Sequence, residues 1–261
     1  MNGKEFDAHE VLEYYRSQGS IFERFYGMHA RGTLGMFIEG LANLKLAFAL
    51  DDRCFRCMDE RTPGGLHAAG PVILFDESEG IEMLKKSRAE GIYSHTGCGA
   101  AGIAFEGLDE KMRRFYVNPD NFGKFFAKAI AKRAGIPYMG HLEVEPHFHM
   151  ARMAVYDGSG SFDNSKLKMS DLGFPPAFVI SRRYHSDPAT AMREASLAAT
   201  IATGDHGFGR LIRAEKSPFL LLVIGARHNK EYSLSRLSDE AAEVAKPFHG
   251  RVIVDGFVAP V

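Results

Sequence analysis

Two short stretches constrain this chain more than any other part of it: Cys57-Met58-Asp59-Glu60-Arg61 and His95-Thr96-Gly97-Cys98-Gly99. Together they supply two cysteines and a histidine, the sulfur and imidazole donors that zinc prefers. Three protein ligands leave a tetrahedral zinc one open position, the layout of a catalytic site. A fold built on such a centre must carry Cys57, His95 and Cys98 to one point. In an extended segment residues i, i+2 and i+4 share a face. Cys57, Asp59 and Arg61 are therefore expected to point at the same metal.

The chain has only three cysteines, Cys54, Cys57 and Cys98, all in this region. A disulfide scaffold would use more of them, spread more widely. Their clustering beside a histidine favours metal binding in a reducing compartment.

Apolar spacing predicts helices over 8–16 and 34–49, and strands over 53–58 and 71–75 with a Gly/Pro-rich loop between them. A helix is expected over 78–90, with Ser78 as its N-cap and Gly91 as its stop. Residues 91–94 then read as a strand that delivers His95. The order strand, loop, strand, helix, strand puts the ligands at the carboxyl ends of strands, where open parallel sheets bind ligands. A helix over 99–106 would favour a Cys98 thiolate through its free N–H groups and dipole. Further helices are expected over 120–134 and 188–203, and further strands over 177–184, 219–226 and 251–257.

The pattern C-x-D-x-R followed by H-x-x-C-G resembles the signature of the β-class carbonic anhydrases. The matching residues are Cys57, Asp59, Arg61, His95, Cys98 and Gly99, and the resemblance covers about residues 50–105. It implies an α/β fold with a mostly parallel central β-sheet flanked by helices. The whole chain, 1–261, then reads as one such domain, with N-terminal helices in 1–50 and a divergent part in 106–261. The implied activity is reversible hydration of carbon dioxide to bicarbonate by a zinc-bound hydroxide. Zn2+ would sit on Cys57, His95 and Cys98, and Gly99 would line the substrate. Asp59 would orient the hydroxide or, in a resting state, take the fourth zinc position, with Arg61 holding Asp59. The family also implies a homodimer or larger homo-oligomer. The chain departs from the family in a shorter ligand spacing and in Phe75-Asp76-Glu77-Ser78, which replaces an Arg-Asn-x-Ala-Asn pattern. Hydrolysis of carbonyl sulfide or carbon disulfide at the same site is the related alternative.

Cys54-Phe55-Arg56-Cys57 is also a C-x-x-C, so a closed structural site on Cys54, Cys57, His95 and Cys98 is a competing reading. Alone, Asp59 and Arg61 would read as a surface ion pair, which is worth little. His147-Phe148-His149 is a pair ordinary in strands that would also suit a second metal. His206, in Asp205-His206-Gly207, is a candidate proton shuttle or part of a helix-terminating turn. Thirty-two basic and 33 acidic residues give no charge excess for nucleic acid or a membrane surface. No transmembrane-length apolar run or signal peptide is apparent, and the expected location is cytoplasmic.

Overall fold

The computed structural model describes residues 8–144, 149–168, 174–204, 207–210 and 218–261. It is an α/β structure with two four-stranded, all-parallel sheets flanked by helices. The first sheet has the order β2-β1-β3-β4, from β1 (Cys54–Cys57), β2 (Leu66–Ala68), β3 (Gly91–His95) and β4 (Tyr138–Leu142). The second has the order β6-β5-β7-β8, from β5 (Met153–Asp157), β6 (Phe178–Ile180), β7 (Phe219–Gly225) and β8 (Val252–Val258). The expected single central sheet is thus two sheets of matching topology. Backbone bonds from Val179 N to Met58 O at 2.9 Å and from Ser181 N to His67 O at 3.1 Å tie them together.

The helices are α1 (Ala8–Ala30), α2 (Leu34–Glu39), α3 (Glu77–Lys86), α4 (Gly99–Glu106), α5 (Glu110–Tyr116), α6 (Pro119–Ala134), α7 (Ser165–Lys168), α8 (Pro188–Thr203) and α9 (Leu234–Ala245). None is long and apolar enough to cross a membrane among the described residues.

Several boundaries differ from the sequence-based expectation. Residues 71–75 are buried except for the half-buried Leu74, but they form turns, with Val72 at φ 61°. The strand lies earlier, at β2, inside the expected loop. Asp76, not Ser78, caps α3 by accepting from Glu79 N at 2.9 Å. Gly91 does not stop that helix but opens β3. The segment 34–49 divides at Gly40 into α2 and a 3-10 turn, Leu44–Phe48. The strand expected over 177–184 shortens to β6, followed by a 3-10 turn at Arg182–Tyr184.

In a parallel sheet of this order the first strand has its successors on opposite sides. The crevice at its carboxyl end is the usual ligand site. In the first sheet that crevice lies between β1 and β3, which end in Cys57 and His95. In the second sheet the equivalent position is filled. A Cβ on Gly158 would stand 2.3 Å from Leu237 Cδ1 and 2.9 Å from Ile224 O. The Asp157 carboxylate is spent on its own loop, accepting from Ser159 N, Gly160 N and Phe162 N at 2.8–3.1 Å.

Candidate metal centre

β1 ends at Cys57, β3 ends at His95, and Cys98 stands at the N-terminus of α4. The ligand atoms of these three residues lie within 4.8 Å of one another, and all three residues are buried. The two sulfurs are 3.9 Å apart and not joined in a disulfide. Cys98 makes no side-chain cap bond, so its sulfur is free of helix capping.

His95 is 2% exposed. Its Nδ1 lies 2.9 Å from the Thr96 carbonyl oxygen, which only accepts, so Nδ1 carries the proton. In the neutral ring this makes Nε2 the lone-pair nitrogen, and Nε2 is buried without a hydrogen-bond partner. A bare imidazole nitrogen beside two thiols can hold a metal ion. The shared hydrogen bond with Cys98, together with burial, pushes the Cys57 thiol well up. A bound metal displaces such protons. The Gly70 N–H donates to Cys57 Sγ at 3.4 Å, which favours the thiolate.

Asp59 follows β1 and is 4% exposed. Arg61 donates to its Oδ1 from Nε at 2.7 Å and from the backbone N–H at 3.0 Å, and Nη2 takes Oδ2. Burial opposes the charge, yet the Arg61 grip with His149 nearby holds the carboxyl below its usual range. This is a buried pair and not a surface one. Asp59 Oδ2 lies 4.0 Å from His95 Nε2. Arg61 therefore faces Asp59 rather than the metal group, because the chain turns after Cys57 and the extended alternation stops.

Cys54 is not in the group. It is three residues from Cys57 in a strand, an odd spacing that sends the two side chains to opposite faces. Burial and the neighbouring Asp52 push its thiol up to about 11. Gly99 opens α4, and its Cβ position faces Ile201 of α8 at 3.8 Å. His206 and His147 lie outside the described residues.

His149 is described, and it meets Asp59 and Glu60. Its Nδ1 is 3.0 Å from Glu60 Oε2 and 3.9 Å from Asp59 Oδ2. Glu60 Oε1 accepts from Met150 N at 2.8 Å. These three residues form a second group able to hold a metal ion, although His149 with Glu60, and Arg61 with Asp59, already satisfy them without one. Sequence reasoning passed over Glu60 although it sits inside the motif. Its partner is 89 residues away, and no local spacing signals that pairing.

The second half of the chain packs into the same apolar core as the two cysteines. Ala151, Phe178 and the α8 alanines 195, 198 and 199 share one apolar cluster with Cys57, Cys98 and Ala69. No protein-family model, no curated protein and no solved structure matches this chain.

Proposed function

We propose that the protein is a zinc enzyme that hydrates carbon dioxide to bicarbonate. The observation that carries this reading is the clamped Asp59 carboxylate, 4.0 Å from the bare Nε2 of His95. A purely structural metal site has no use for an oriented, buried carboxylate beside its ligands.

The donor set fits zinc. Two sulfurs bonded at about 2.3 Å to a tetrahedral centre lie about 3.8 Å apart. The observed separation of Cys57 and Cys98 is 3.9 Å. Cys57, His95 and Cys98 would hold the ion, and its contribution when bound is a water acidic enough to act as a nucleophile near neutral pH.

The chain's own residues do the rest. Asp59 Oδ2 accepts a hydrogen bond from the attacking water and fixes its direction. Arg61 keeps Asp59 charged and stops it swinging away, through a two-pronged charge-assisted contact. The Gly70 N–H trims the charge on the Cys57 sulfur. Cys57 and Cys98 share one buried apolar core with Ala151 and Phe178, surroundings that suit a small apolar substrate and exclude bulk water. His149, held by Glu60 through Nδ1, stands 3.9 Å from Asp59 Oδ2 and helps keep that carboxylate charged.

The competing structural reading requires Cys54 as fourth ligand, and Cys54 lies on the other face of β1. The test is stopped-flow hydration of carbon dioxide by zinc-loaded and zinc-free protein, with carbonyl sulfide hydrolysis measured in parallel. Activity on carbon dioxide that follows zinc content supports the reading. Zinc-dependent turnover of carbonyl sulfide alone moves the substrate, and turnover of neither removes the enzymatic reading.

A further inference from the structure

Cys57, His95 and Cys98 all come from the first sheet and α4, yet one side chain of the second half reaches the turn that holds Cys57. Glu194 lies on α8 and is 2% exposed. A carboxylate is buried this deeply only when its oxygens are used. Glu194 Oε2 is 2.9 Å from His185 Nε2, and His185 is itself 1% exposed. Glu194 Oε1 accepts from the Ala69 N–H at 2.5 Å. The next N–H along the chain, that of Gly70, donates to Cys57 Sγ.

The turn is rigid. Ile73 N donates to Ala69 O at 3.2 Å. Gly70 has φ 64°, and a Cβ there would stand 2.2 Å from Ile73 Cγ2 and 2.8 Å from Ala100 Cβ. Ala100 belongs to α4, the helix that starts after Cys98. The turn is thus pressed between α4 on one side and Glu194 on the other.

We infer that Glu194 is a positioning residue for the metal ligand Cys57: by fixing the Ala69 N–H it aims the Gly70 N–H at the Cys57 sulfur. The inference rests on the zinc reading given above. A hydrogen bond to a ligating thiolate orients the ligand and tunes its charge, and losing such outer partners typically costs about 10–100-fold in metal affinity.

The experiment is a chelator competition for zinc with wild type, Glu194→Gln and Glu194→Met, with melting temperatures of the zinc-free forms. Glutamine keeps an oxygen for the Ala69 N–H, and methionine does not. The expected result is near-wild-type affinity for Glu194→Gln and about 10–100-fold weaker affinity for Glu194→Met. A merely structural Glu194 would lower the zinc-free melting temperature of both variants and leave the affinities equal. Wild-type affinity in Glu194→Met, or equal losses in both variants, overturns the inference.

A second measurement needs no variant. In wild type loaded with NMR-active cadmium, the metal should couple through Cys57 Sγ to the Gly70 amide proton, and an absent coupling also overturns the inference. Protein that binds zinc but hydrates nothing refutes the proposed function and leaves this inference standing. Protein that takes up neither metal overturns both.

Discussion

Arg61 holds Asp59 with its backbone as well as its guanidinium, and the carboxylate is left with one direction in which to act. Nε and the backbone N–H converge on Oδ1 at 2.7 and 3.0 Å, while Oδ2 faces His95 Nε2 at 4.0 Å. Asp59→Asn keeps the shape and removes the charged acceptor. It is expected to retain zinc and to lose roughly 100-fold or more of hydration activity. Arg61→Ala leaves a buried carboxylate unpaired and should cost about 3–5 kcal/mol of stability as well as activity. Zinc analysis, stopped-flow rates and urea unfolding check both. Wild-type rates in Asp59→Asn would remove Asp59 from the mechanism.

Cys54→Ser should retain zinc, whereas Cys57→Ser and Cys98→Ser should lose it. The reason is the strand alternation that turns Cys54 away from the other two sulfurs. Elemental analysis after dialysis against a weak chelator decides this. Equal loss in all three variants would support a closed site.

The metal group was legible because its residues carry their own chemistry and sit where strands end. Cys57 and His95 fall at the carboxyl ends of β1 and β3, as the strand order led one to expect. The C-x-x-C ambiguity was also soluble from spacing, since three residues along a strand reverse the face. The apolar run Pro71–Phe75 misled because burial alone does not make a strand; β2, three residues long, carries no periodicity to detect. β5 was missed although Met153–Asp157 is a buried apolar run that ends at a glycine. The contacts of Glu60 with His149 and of Glu194 with Ala69 span 89 and 125 residues, and no local pattern encodes them.

Gly70→Ala tests how tightly the turn beside Cys57 is fitted. The positive φ and the approach of Ile73 and Ala100 leave no room for a methyl group. We expect a loss of about 2 kcal/mol or more in urea unfolding, together with weaker zinc binding. Unchanged stability and affinity would mean that the turn yields freely.

The Asp52–Arg56 pair at the entry to β1 gives a pH signature. A two-pronged contact from Arg56 pulls the Asp52 carboxyl down to about 2 from 3.8. A carboxylate with a depressed folded pKa contributes stability above its unfolded pKa and loses it as pH falls toward the folded value. The Asp52 side chain is 35% exposed, so screening reduces the contribution to about 1 kcal/mol. Asp52→Asn should be less stable than wild type by that amount at pH 7, and the gap should narrow between pH 4 and 2. A gap that does not change with pH would assign the effect to the Cys54 N–H bond that Asp52 also accepts.

Catalysis here depends most on an open centre built from two sulfurs and one imidazole. Zinc-edge X-ray absorption on the loaded protein reads that directly. The expected first shell is two sulfurs at about 2.3 Å and two nitrogen or oxygen atoms at about 2.0–2.1 Å. In that shell the nitrogen would be His95 Nε2, with the remaining position open to water. A shell of three sulfurs and one nitrogen would put Cys54 on the metal, and it would contradict both the arrangement of β1 described above and the catalytic reading built on it.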